Sequence, residues 1–164
     1  HIVLNGKAQA TTWVKGMVNN VGQPYFSGDV SLIRAVGQGK CGVGLVNHYY
    51  LARMQAGASG KNDQNITRNI KLVMPNPAHV NISAAGVAKS ASNKKEAIQF
   101  IEFLSSAKGS QLIAGPTYEY PLKGFGTAKE LKNFGRFTPD NVSISSLGAT
   151  QKTAIQIMSE AGWR

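Results

Sequence analysis

The chain has 164 residues, 42% of them hydrophobic, enough for one globular domain with a real core and too many for a disordered chain. Eighteen Lys and Arg against eight Asp and Glu give a formal charge of +10, but the basic residues are spread from Lys7 to Arg164, with no run longer than Lys94-Lys95 and no alternation with aromatics; no nucleic-acid partner is expected. No run of about 18 apolar residues is present, so no membrane-spanning helix is expected, and the opening His1-Ile2-Val3-Leu4 carries neither an initiator methionine nor a charged-then-apolar leader, which reads as a fragment or processed product with any targeting signal removed or upstream.

Alternation of strand-like and helix-like segments points to an α/β architecture. Ile2-Val3-Leu4 resembles the end of a strand. Trp13, Val14, Met17 and Val18 share one helical face, which predicts a helix over Ala8 to Asn19 stopped by Asn19, Asn20 and Gly22. A second helix is predicted from Asp29 to Gln38, with Ser27 or Asp29 as cap, Leu32, Ile33 and Val36 inward, and Gly39 in the left-handed position past its end. Gly42 to Val46 follows as an apolar strand buried on both faces, as in parallel sheets covered by helices. Its neighbour Cys41 stands alone, so it forms no intrachain disulfide and reads as a buried, inert thiol.

The doublet Tyr49-Tyr50 then stands at a strand-to-helix corner, before a helix predicted over Leu51 to Ala58. A phenol ordinarily ionises near pH 10, but a hard trivalent cation favours the anionic oxygen strongly enough to hold a phenolate at neutral pH. Paired phenols at such a corner therefore fit ferric iron, and they fit plain aromatic packing at a sheet edge as well. The residues by themselves leave both readings open.

Ala56 to Asn69 is predicted as a surface loop and Ile70 to Met74 as a strand ended by Pro75 and Pro77. His79 to Ala88 is extended, and its small residues Ser83, Ala84, Ala85 and Gly86 predict close backbone packing in a crossover between subdomains, with His79 structural or exposed. Asn93 to Ser105 is a helix with Ser92 or Asn93 as cap and an apolar face of Ala97, Ile98, Phe100, Ile101 and Leu104. Shorter helices are predicted at Gly109 to Ala114, stopping before Gly115-Pro116, and at Ala128 to Asn133. Between them, Thr117 to Pro121 is extended and sends Tyr118 and Tyr120 to opposite faces, at most one toward a cleft. A final helix covers Thr150 to Ala161, with Ala154, Ile155, Ile157 and Met158 inward and Gly162 as stop.

Six strings, Trp13-Val14-Lys15-Gly16, Asn47-His48-Tyr49-Tyr50, Val80 to Val87, Asn93-Lys94-Lys95-Glu96-Ala97, Tyr118-Glu119-Tyr120-Pro121-Leu122 and Glu160-Ala161-Gly162, resemble in order and spacing the ferric-ion-binding receptors of bacterial iron ABC transporters. The resemblance covers essentially the whole chain and matches the C-terminal half of such a receptor, including its C-terminus. It implies a type II, transferrin-like two-lobed periplasmic binding protein that closes a cleft over Fe(III) as bound cargo and delivers it to an inner-membrane ABC permease. Such a receptor binds and does not catalyse. In agreement, the sequence holds no phosphate-binding glycine fingerprint, histidine-rich metal motif or nucleophile-base pair.

The family's adjacent tyrosines fall on Tyr49 and Tyr50, which become the expected iron ligands. Asn47 and His48 of the same string are expected to lie around them without ligating. The remaining ligands are expected from the receptor's missing N-terminal half, and the intact receptor is expected to be monomeric and periplasmic, secreted or tethered at the outer face of the cytoplasmic membrane. On the same pattern, residues 1–79 form the main part of the second lobe, 80–127 cross to the other lobe, and 128–164 return. Asp29 falls where some relatives place an asparagine that helps bind an accompanying anion; an aspartate would repel that anion, and it reads equally well as a helix cap. The alternative expectation keeps the scaffold and changes the cargo to a small anion, a polyamine or an organic ligand.

Overall fold

The computed structural model of the protein describes residues 1–22, 25–122, 124 and 126–163. Lys123 and Phe125 of the expected crossover, and the terminal Arg164, lie outside the described residues. Eight helices succeed one another among them: α1 (Ile2–Asn19), α2 (Asp29–Gly37), α3 (His48–Gln55), α4 (Lys61–Thr67), α5 (Lys94–Ser105), α6 (Ala107–Thr117), α7 (Lys129–Phe134) and α8 (Ile144–Glu160). α1 packs on α8 and α5 on α6, while α3 sits among α2, α4 and α7.

The cluster around α3 holds the site. Ile33, Leu51 and Met54 are buried together, and Val30, Val46, Tyr50, Ile70, Leu72 and Phe134 pack around them. Gly44 lets the backbone before α3 lie directly on α2: a Cβ there would stand 3.0 Å from Leu32 Cγ and 3.2 Å from Val36 Cγ2. The expected left-handed residue after α2 is present, Gly39 having φ 74°. Neither expected cap is used. The N-cap is Gly28 without a side-chain cap bond, because the Asp29 carboxylate accepts instead from the backbone N–H of Asn47, 2.7 Å away.

The segments predicted as strands form no ladder among the described residues, where one parallel bridge, Ala78 with Pro139, is found. Gly42 to Val46 and Ile70 to Met74 are not helical, and each has one covered face and one bare face. Gly44 and Val46 turn inward while Val43 and Leu45 are exposed; Ile70, Leu72 and Met74 are half-buried while Val73 is 84% exposed. The expected burial on both faces is therefore corrected: one face lies on the helices around α3 and none of the described residues covers the other. Cys41, at the start of the first segment, is a half-exposed free thiol rather than a buried one.

α4 occupies part of the predicted 56–69 loop. Its inward side chains are polar, which hides it from a search for apolar periodicity. Asp63 is 2% exposed and accepts two bonds from Arg34 of α2, from Nε at 2.8 Å and Nη2 at 2.9 Å. Thr67, fully buried, donates to the Asp63 carbonyl, and Gln55 donates to the carbonyls of Thr67 and Ile70. The Arg34 hydrogen bond holds the Asp63 carboxyl below its usual range, against the opposing effect of burial. A depressed carboxylate stabilises the fold above the unfolded value near 3.8 and loses that contribution as pH falls through the folded value. Arg34→Met, which strands a buried carboxylate, is expected to lower the melting temperature of the intact receptor by roughly 5 °C at neutral pH, and by less near pH 3. An unchanged melting temperature at neutral pH would count against the pair as a structural element.

At the termini, Ile2-Val3-Leu4 is helical rather than the end of a strand, and α1 is kinked at Gly6, φ 78°. Val14 is buried as expected and Met17 and Val18 are half-buried, but Trp13 faces outward, stacked at 6.4 Å on Trp163. In α8, Ile157 is buried while Ile155 points to solvent, 60% exposed. Gly162, at φ 80°, ends that helix as expected, with Trp163 N–H bonded to the Met158 carbonyl.

Residues 79–88 run through solvent. Ser83, Ala84, Ala85 and Gly86 are exposed, and nothing lies within 4 Å of a Cβ built on Gly86, so the expected close packing is absent here. Val80 and Ile82 are exposed, as are Ile98, Phe100 and Phe103 of α5 and Leu112 and Ile113 of α6. α5 begins at the expected Asn93 cap, which makes no side-chain cap bond, and no α5 residue is fully buried. α6 continues past its expected stop, with Pro116 in its last turn, and ends at Tyr118, whose φ of 60° replaces the extended conformation expected there. On the return, Ala78 N–H donates to Thr138 O and Asp140 N–H to Ala78 O, each at 2.8 Å, and the exposed His79 ring pairs with Asp140 at 3.1 Å. His79 is thus structural and exposed at once.

Candidate metal centre

α3 begins earlier than expected, so the tyrosine doublet lies inside its first turn rather than before it. Successive residues of a helix point roughly 100° apart. The two rings nevertheless lie together, with centroids 4.5 Å apart at 39°. Tyr50 packs inward on Ile33, Leu51 and Met54, and the Arg53 guanidinium lies 5.9 Å from its ring centroid. Tyr49 lies against the other side of the turn, edge-on to His48 at 5.7 Å.

At the start of α3 the backbone amides have no side-chain cap bond from Asn47, and the Tyr50 N–H bonds to the Asn47 carbonyl. Those amides and the helix dipole favour negative charge at the first turn by about 0.3–1 kcal/mol per group. Opposing this, burial first, then the hydrogen bond and charge of Tyr50 and the charges of Asp29 and Glu119, raise the Tyr49 phenol above its ordinary value of 10.0. Without a cation the Tyr49 site therefore holds its proton. With one, the same carboxylates attract the metal that displaces it.

The remaining candidates are distributed around this turn. Among the described residues no hydrogen bond joins the Asn47 side-chain amide to the doublet; its backbone N–H is held by Asp29. His48 donates from Nε2 to the Tyr118 carbonyl at 3.1 Å, and burial lowers its pKa below 6.5 against the opposing effects of that bond and of Glu119. Tyr120 packs 5.0 Å from His48 and edge-on to Phe137 at 5.1 Å. Its buried hydroxyl has no hydrogen-bond partner among the described residues, and burial raises its pKa. The ring's contacts are packing contacts. Ser83 donates to Glu119 at 3.0 Å.

Sequence reasoning missed Glu119, Arg53 and the Tyr118 carbonyl as neighbours of the doublet. Arg53, one turn on from Tyr50, was within reach of helical spacing; the other two come from about 70 residues away and carried no signal. Among the described residues no three His, Cys, Asp or Glu side chains converge as a metal cluster. Among the same residues no helix is long and apolar enough to cross a membrane.

Comparison with known proteins covers nearly the whole length of the chain. A family model described as bacterial extracellular solute-binding protein matches residues 4–137. Iron uptake protein A1 of Synechocystis is 35% identical over 99% of this chain and 46% of its own length. The major ferric iron-binding protein of Neisseria meningitidis serogroup B is 31% identical over 99% of this chain and 48% of its own. Among solved structures, the Trichodesmium protein IdiA (FutA), in complex with iron and citrate, superposes with a TM-score of 0.91 at 37% identity, over 99% of this chain and 53% of that one. The Bordetella ferric binding protein superposes with a TM-score of 0.89 at 30% identity, over the same shares. The chain spans about half the length of the curated relatives it matches.

Proposed function

The chain belongs to the bacterial extracellular solute-binding protein family, with the fold of its ferric-binding members, and from that premise we propose that it forms about half of a periplasmic receptor that captures ferric iron. Tyr49 and Tyr50 serve as phenolate ligands in the cleft between two lobes. Asn47 and His48 flank them without ligating, and the other ligands come from the half of the receptor outside this chain. The loaded, monomeric receptor delivers its iron to an inner-membrane ABC permease. It binds and releases its cargo without chemical conversion.

The observation that carries this reading is the pair of converging phenols in the first turn of α3, in a chain of this family. Asp29 and Glu119 act on Tyr49 as negative charges, which suits a trivalent cation and opposes an accompanying anion on that side. Coordination is then completed by protein side chains or water there. The same reading accounts for the bare apolar faces of Val43, Leu45 and Val73 and of α5 and α6. Residues 1–79 and 128–164 belong to one lobe and 80–127 to the other, each lobe being finished by the remaining chain.

The test is a visible spectrum of the intact receptor, prepared metal-free and titrated with ferric citrate. A phenolate-to-iron band that saturates at one iron per receptor is the expected result. Its absence would leave the scaffold and move the cargo to a small anion, a polyamine or an organic ligand.

A further inference from the structure

We propose that His48 is a positioning residue: by donating Nε2–H to the Tyr118 carbonyl it ties the first turn of α3 to the C-terminal cap of α6 and so sets where the two phenols stand. The inference rests on the ferric-receptor reading given above. A carbonyl only accepts, so the 3.1 Å contact places the proton on Nε2.

The acceptor is itself held in a defined direction. Tyr118 is the one non-glycine residue with positive φ among those described, at 60°. A left-handed residue at a helix end is kept there by bonds back to the last turn. Here Tyr118 N–H bonds to Gly115 O and Glu119 N–H to Ala114 O. Together these orient the peptide that His48 meets. The imidazole is equally confined, with Tyr49 edge-on at one side and Tyr120 tilted 38° on the other, itself backed by Phe137.

The position of this bond gives it consequence. α3 packs among α2, α4 and α7, and α6 packs on α5, so the bond crosses from one group of helices to another. α3 also starts without a side-chain cap. Its first turn is held from outside, by Asp29 on the Asn47 N–H and by Tyr118 on the His48 ring. Tyr49 and Tyr50 are the next two residues, and any swing of that turn carries both phenol oxygens with it.

His48→Phe keeps the ring and deletes the donor, whereas His48→Gln places an amide N–H near the position of Nε2. Both are made in the intact receptor, loaded with ferric citrate and mixed with a competing chelator. His48→Phe is expected to lose iron roughly tenfold faster than the parent, the size of effect expected for one partly buried hydrogen bond, with the phenolate-to-iron band at its parent wavelength. His48→Gln is expected to restore the rate to within about twofold. Equal rates for His48→Phe and the parent would overturn the proposal. So would a displaced band in both variants, which would make the histidine a ligand. Independently of iron, 15N-edited NMR of the metal-free receptor is expected to find the His48 proton on Nε2 and slow to exchange; an Nδ1–H tautomer would overturn the bond. A parent receptor without any phenolate band would sink the ferric reading and leave the NMR result to decide the role of His48.

Discussion

The Tyr49→Phe/Tyr50→Phe form of the intact receptor is expected to lose the visible phenolate-to-iron band and to bind ferric iron at least roughly 1,000-fold more weakly than the parent. Altering a side chain that merely supports a metal ligand typically costs about 10- to 100-fold in affinity, and this variant deletes two hard, anionic donors outright. The fold gives a clean comparison. Tyr50 packs its ring on Ile33, Leu51 and Met54, and phenylalanine keeps that contact. Tyr49 contributes a ring edge-on to His48, which phenylalanine also preserves. Melting temperatures of the metal-free forms are therefore expected to agree within a few degrees while iron binding collapses. Retention of tight binding by the double variant would remove the doublet from the coordination sphere.

Acid is expected to release the iron, and steeply. The Tyr49 phenol lies above its ordinary value of 10.0, raised first by burial, then by the Tyr50 hydrogen bond and nearby negative charge, so at neutral pH the metal must displace a proton to ligate it. A group raised in this way favours the protonated form through the neutral range and ionises unaided only as pH rises beyond the folded value. Each phenolate that forms on metal binding releases one proton, and each proton released makes affinity fall about tenfold per pH unit on acidification. With two phenolates, affinity falls roughly 100-fold per unit, or about 10,000-fold between pH 7 and pH 5. Proton release measured at constant pH during iron uptake from ferric citrate, with citrate protonation subtracted, checks this. Constant affinity from neutral pH to about pH 4 would rule out phenolate ligation.

The geometry gives the two phenols unequal surroundings, and this bears on both expectations. Tyr50 faces the Arg53 guanidinium, while Tyr49 faces Asp29 and Glu119. Neighbouring carboxylates disfavour the Tyr49 phenolate until a metal arrives.

Much of the helical framework was legible because it rests on local rules. Leu32, Ile33 and Val36 marked the inward side of α2 and Gly39 its end; Asn93 marked the start of α5, and Gly162 the end of α8. α4 was not legible, since its buried face is built from Asp63 and Thr67, and polar residues become inward-facing only when a partner such as Arg34 arrives from 29 positions away. The apolar run from Cys41 to Val46 read as doubly buried, yet a run of apolar residues does not say which faces the rest of a chain will cover. Val43 and Leu45 stand bare here for that reason.

The site divides along the same line. Residue order alone put two phenols side by side after a glycine-spaced segment, and their family strings gave them a role as expected ligands. Chain folding decided what surrounds them: Asp29 on the Asn47 amide, Glu119 in electrostatic reach of Tyr49, and the Tyr118 carbonyl on His48. Adjacent donors are a matter of covalent sequence. Their charge environment and aim depend on groups about 20 and 70 residues distant, brought close by helix packing and by one left-handed cap, and those only the tertiary structure could supply.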